Sequence, residues 1–298
     1  MVRTKSPHPG QLDLFLATGE TAFFNDFTAA LKQHEAARAS KCLRRLATAL
    51  PNHPKLPAYQ TLCAALRDWP FPAVEPADIA AAVVRLDNAV VPAAQTILSQ
   101  AAAEFMATFW RRLAEAATTH AYDPALPQAY RAGLWLRCGE DQAALEAVEA
   151  ADGWEDRPDL LAWLCQARHG LGGLEECWPV LLRLALVAPA RLADMVETLG
   201  DARLDRVWKS FNADCGGLEG DDPAAWFPAW HGLANPGLRA ISGAMPVSLE
   251  AKVCALVQRL NILEGQGAGP EWMAARQRLR ELAPTLFEIY LKRRGEPA

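Results

Sequence analysis

The stretch GGLEECWPVLLRLALVAP, residues 172–189, reads as a turn followed by one amphipathic helix. Gly172 supplies the turn between two helices, because a residue without Cβ lets the chain reverse cheaply. Cys177 is small enough for two helices to cross there, and Leu181 and Leu184 share the inward face one turn on. Pro189 then closes the helix, since proline lacks the amide donor needed to continue it. The preceding segment, CGEDQAALEAVEAADGW at 138–154, places Gly139, Ala144, Val148 and Ala151 at the same offsets, with Asp156 where the proline should stand. EAARASKCLRRLATALP at 35–51 repeats the arrangement with Ala39, Leu43, Leu46 and Pro51, and His34 takes the place of the turn glycine.

Leucine and alanine recur three and four apart along most of the rest, with few β-branched runs, so the fold is expected to be all-α. Prolines divide it into pieces one helix or one helix pair long, at Pro51, Pro54, Pro70, Pro72, Pro76, Pro92, Pro124, Pro127, Pro158 and Pro189. The longest uninterrupted apolar period runs from Pro92 to Thr119, with Ile97, Leu98, Phe105, Phe109, Trp110 and Leu113 on its buried side. The architecture this describes is an antiparallel helix-hairpin array.

The three turn-and-helix segments resemble the second half of a tetratricopeptide repeat. Ala144 and Cys177 lie 33 residues apart, close to that family's period of about 34. The first helix of each pair matches poorly, so the resemblance is to a degenerate member of the family. It implies a TPR-like α-solenoid over residues 21–211 whose concave face holds a peptide or helix of a second, unidentified protein. Small residues at crossings and prolines after helices are also what any bundle of helix hairpins needs, and that alternative stays open.

Four regions follow. Residues 1–20 read as a flexible strap, 21–211 as the repeat body, 212–245 as a Gly/Pro/Trp-rich loop or joint, and 246–298 as a more irregular lobe of C-terminal helices. The joint carries Trp226, Phe227 and Trp230, which are expected to pack back on the helices.

At 298 residues with 51% hydrophobic and 22% charged residues, the chain has the composition of an ordinary globular protein. Its net charge of −5 argues against a broad nucleic-acid surface, and Arg44-Arg45, Arg111-Arg112 and Lys292-Arg293-Arg294 read as solvated helix faces. The seven cysteines form no CxxC pair and sit among Leu and Ala, which suits reduced, buried thiols in a cytoplasmic protein. Arg3 and Lys5 are followed by Pro7, Pro9 and Gly10 rather than an apolar run, so neither a signal peptide nor a membrane span is expected.

No constellation for chemistry stands out. The histidines include no HExxH and no pair at metal-ligand spacing, and GLGG at 170–173 and GQGAG at 265–269 read as helix breaks, not phosphate loops. Glu219, Asp221 and Asp222 lack the oxygen-ligand spacing of a calcium loop, and Asp222 before Pro223 reads as a helix cap. Glu175 and Glu176 are adjacent on a helix and diverge. Trp163 and Trp178 fall on apolar faces and belong to the core. No cofactor, metal or direct nucleic-acid contact is expected, and an enzyme built around 212–245 would need Glu219, Asp222 and His231 to converge in a polar pocket.

One short string remains, QLDLF at 11–15. Leu12, Phe15 and Leu16 could form a helical stripe capping the first helix pair, whose own apolar face begins at Phe23, Phe24 and Phe27. The flanking Pro7, Pro9, Gly10 and Thr18-Gly19 suit instead an adhesive patch on a strap. QLDLF resembles the pentapeptide with which bacterial replication and repair proteins bind the β sliding clamp, matching its preferred pattern at every position. By that resemblance Gln11 hydrogen-bonds at a pocket rim, Leu12 enters an upper subsite, Asp13 faces outward, and Leu14 with Phe15 fills the main apolar subsite. The expected role is a non-enzymatic adaptor tethered to the clamp. The rival is an interaction module or assembly chaperone unrelated to DNA, with QLDLF part of the fold.

Overall fold

A computed structural model describes residues 24–68, 75–215, 222–237, 241, 245–267 and 269–295. Those residues are helical throughout, with turns and no strand among them, so the fold is all-α. The chain divides into two compact units, residues 1–139 and 140–298. The division falls within the stretch grouped as 21–211 from sequence, and residues 140–211 pack with the C-terminal helices in the second unit.

In the first unit, α1 (24–32) turns into α2 (Ala36–Ala49), followed by α3 (Leu56–Asp68), α4 (Pro76–Arg85), α5 (Val91–Leu98), α6 (Ala102–Ala116) and α7 (Arg131–Arg137). The α1–α2 reversal is made at His34, which has φ 53 where a glycine would be usual. Its ring explains the choice. Nε2 donates to the Phe105 carbonyl at 3.0 Å and the imidazole stacks on Phe105 with centroids 4.9 Å apart, so the turn residue also ties the hairpin to α6. Ala39 and Leu46 are fully covered as expected, whereas Leu43 is only half-buried because Cys42, one residue earlier, takes the inward position. Phe27, Leu31, Leu62, Ile79, Phe105, Phe109, Leu113 and Leu134 join one apolar core. Burying a side chain of this size contributes about 1.5–3 kcal/mol.

The period running from Pro92 to Thr119 is not one helix. It breaks at Ser99, with φ 49, and a short 3-10 turn at Ser99–Ala101 leads into α6. α4 and α5 are themselves joined through a π turn at Leu86–Val90, which inserts one residue per turn without ending the helical path.

The second unit begins with α8 (Asp141–Glu149) and the long α9 (Pro158–Val187), which is two helices meeting at Gly173, φ 68 and ψ −162. The turn is therefore one residue later than the sequence reading placed it. Cys177 lies at the crossing as expected, fully buried and hydrogen-bonded with the Cys165 thiol on the first arm. Leu181 and Leu184 face inward with no exposure. Next come α10 (Leu192–Leu199), α11 (Ala202–Cys215), α12 (Phe227–Ala234), α13 (Leu249–Gln266), α14 (Pro270–Leu282) and α15 (Pro284–Arg294). Successive members α12 to α15 pack pairwise and α12 also rests on α9. The helix break read from sequence at GQGAG begins two residues into that string: α13 runs through Gln266 and ends at Gly267, and α14 starts at Pro270 after Gly269.

Asp156, the residue standing in for an expected proline, has a partner of its own. Arg183, in the middle of LLRLALV on α9, is 3% exposed and reaches Asp156 Oδ1 at 2.9 Å and the Glu155 carbonyl at 2.6 Å. The guanidinium thus pins the 3-10 turn Trp154–Asp156 onto the second arm of α9. Arg183→Met keeps the packed stem and removes these bonds. It is expected to cost roughly 1.5–3 kcal/mol, the range for hydrogen bonds to a charged group, read as a lower urea midpoint with unchanged slope.

Candidate functional site

The second unit brings together polar, basic and aromatic side chains around α12. This helix lies inside the stretch read as a loop. Asp222 accepts from Ala224 N at 3.0 Å, as a cap should, and the 3-10 turn Pro223–Trp226 feeds directly into Phe227. Proline supplies both starts, at Pro223 and Pro228, where its missing donor costs nothing.

Aromatic burial holds α12 in place. Phe227 is inaccessible to solvent and meets Phe211 edge-on at 5.3 Å, Trp208 at 5.7 Å and Trp230 at 6.0 Å. Trp178 of α9, His231 and Phe227 are stacked, with the Trp178 and His231 centroids 4.1 Å apart. Trp226, Phe227 and Trp230 thus do pack back on the helices. Gly232 allows α13 to come close, for a Cβ there would meet Val257 at 3.1 Å, and Asn261 Nδ2 donates to the Gly232 carbonyl at 3.0 Å.

On one side of α12 lies a cavity of about 410 Å³ lined by Leu182, Pro228, His231, Cys254, Val257 and Ile262, among others. His231 is 2% exposed and its Nδ1 has no hydrogen-bond partner among the described residues. Burial, with the charges of Arg293 and Arg203 behind it, pushes the imidazole down to about 4, so it is neutral at pH 7. Burial also pushes the Cys254 thiol up to about 12. A neutral ring, a neutral thiol and aliphatic walls make this a lodging for an apolar group.

On the other side is an open groove of about 510 Å³, with α11, α12 and α15 as its walls. α11 starts at Asp201, whose carboxylate accepts from Leu204 N at 2.9 Å and Arg203 N at 2.8 Å. The Leu204 amide bond is the main reason its carboxyl sits below the usual range. From that start Arg203, Arg206 and Ser210 project along one face. Arg293 closes the far wall, its guanidinium 4.7 Å from the Trp230 ring and donating to the Trp230 carbonyl at 3.2 Å and to Asp214 at 3.4 Å. The Lys292-Arg293-Arg294 run is accordingly not a simply solvated face. Arg294 also lies over Tyr290, at 5.0 Å, and pairs with Glu264.

Gln11, Leu12, Asp13, Leu14 and Phe15 lie outside the described residues, as do Phe23, Glu219 and Asp221. Of the residues named for an enzyme site, Asp222 is occupied as a cap and His231 sits in the aromatic stack. Among the described residues no group of His, Cys, Asp and Glu is placed to hold a metal ion. No described helix is long and apolar enough to cross a membrane. The groove was missed from sequence although Arg203 and Arg206, three apart on a helix, were a usable signal. No family model, curated protein or solved structure matches the chain.

Proposed function

We propose that this chain is a non-enzymatic, cytoplasmic adaptor of bacterial DNA replication or repair. Residues 11–15 tether it to the β sliding clamp, and its helical body holds a second protein. The observation that carries the reading is the string QLDLF itself, which fits the clamp-binding pattern at all of its positions and lies between helix-breaking residues. Arrays of helix hairpins commonly present surfaces for peptides and helices, which supports the adaptor half of the reading.

The energetics are adequate. Burying Leu12, Leu14 and Phe15 contributes about 1.5–3 kcal/mol each, before the cost of ordering the segment. A net −6 to −8 kcal/mol corresponds to roughly 1–50 μM, enough for recruitment when a second contact adds avidity.

Calorimetric titration of purified β clamp tests this. The full chain is expected to bind in that range, and a Leu14→Ala, Phe15→Ala variant at least about tenfold more weakly, a loss of about 1.4 kcal/mol or more. The variant's thermal melt should be unchanged. Absence of binding by the unaltered chain, or a variant that loses stability along with binding, would make QLDLF part of the fold and remove the connection to DNA.

A further inference from the structure

The groove and the apolar cavity flank the same helix and share one lining residue, Asn235, which follows the last turn of α12. Arg293 is engaged with Trp230 and Asp214, and Arg203 pairs at the groove's edge with Glu175, both side chains more than half exposed. Arg206 differs. Its Nε donates to the Ala202 carbonyl one turn back, and no carboxylate among the described residues pairs with its terminal amines. One turn apart on α11, Arg203 and Arg206 make a pair of forks matched to carboxylates.

Around Asn235 the surroundings turn apolar. Ile262, 61% exposed, stands among the residues lining the cavity, with Val257 and Leu182 also in its walls. His231 lines it too. An aliphatic side chain entering there would find apolar contact on several sides.

We propose that these two cavities receive an acidic, extended segment of a partner protein. Its carboxylates meet Arg203 and Arg206, and an apolar side chain beyond them enters the cavity beside His231. Nucleic acid fits less well. The Trp230 ring, 3% exposed and already covered by Arg293, offers no free face for a base to stack on. The proposal deepens the adaptor reading by assigning a chemistry to the second partner, and its test does not involve the clamp.

The probe is a fluorescein-labelled oligo-aspartate peptide ending in leucine, titrated with the full chain and followed by anisotropy. Saturable binding that weakens with added salt is expected, with Kd raised at least about tenfold in an Arg203→Glu, Arg206→Glu variant. Both positions are exposed, so the fold should persist, which circular dichroism checks. Ile262→Asp, at the cavity, should weaken the same peptide but not a version ending in aspartate. The proposal is overturned if nothing saturates below about 1 mM, if the double variant binds like the parent, or if an oligo-lysine peptide binds equally well. Binding of oligothymidylate through the same arginines, without binding of the peptide, would also overturn it in favour of a nucleic-acid groove. A chain that takes the peptide but fails to bind the clamp loses the tether and keeps the groove.

Discussion

Phe227→Ala should lower the stability of the second unit by roughly 3–5 kcal/mol, the range for emptying a buried aromatic site. The size of the effect follows from the surroundings: the ring has no solvent exposure and contacts Trp178, Trp208, Phe211, Trp230 and His231. Those neighbours are large and belong to α9, α11 and α12, so they cannot collapse into the vacated space without moving helices. Guanidinium denaturation followed by tryptophan fluorescence measures it, and Phe227→Leu, which keeps much of the volume, should lose less than about half as much. A loss under about 1 kcal/mol for the alanine variant would mean that α12 is not anchored by this ring.

Acid should weaken the same unit through His231. The folded imidazole is held down at about 4, against an ordinary value of 6.5, chiefly by burial and then by the charges of Arg293 and Arg203. Well above pH 6.5 the ring is neutral in both states and contributes no pH dependence. Between 6.5 and 4 the unfolded chain binds a proton that the folded chain does not, so stability falls by about 1.4 kcal/mol per pH unit. The loss reaches about 2 kcal/mol by pH 5 and about 3 kcal/mol at pH 4, where the folded state begins to protonate as well. Carboxylates held below their usual range, such as Asp201, lose their contribution at lower pH. The comparison that isolates the imidazole is thus denaturation of the parent and His231→Phe from pH 7 to 5. The variant's curve should be flatter, and parallel curves would show that the ring takes up a proton without unfolding.

Helix-hairpin construction was legible in the sequence because its determinants are local. A small residue at each crossing and an inward leucine four to seven residues on identified Ala144, Cys177, Leu181 and Leu184, and all are buried. Even the substitution of histidine for a turn glycine marked a true reversal, at His34. Gly172 was one residue from the real turn because two glycines adjoin and either could adopt the left-handed conformation that Gly173 takes. The break at Ser99 left no trace, since LSQAA contains neither Gly nor Pro. Arg183 was illegible for a different reason. Its partners, a carbonyl and a carboxylate in the turn before α9, are about 28 residues away and nothing in a period announces them. The groove has the same character, since Arg293 comes to Trp230 from 63 residues further along the chain.

The buried thiols make each unit its own clock. Cys42 and Cys63 in the first unit and Cys165, Cys177, Cys215 and Cys254 in the second are all at most 4% exposed, and burial raises Cys63, Cys215 and Cys254 to about 12. A thiol so placed reacts only when its surroundings open and let it ionise. Alkylation rates read residue by residue by mass spectrometry therefore convert into opening free energies, without denaturant, for the two halves of one chain at once. Whether those halves open together or separately becomes a matter of comparing two sets of labelling half-lives.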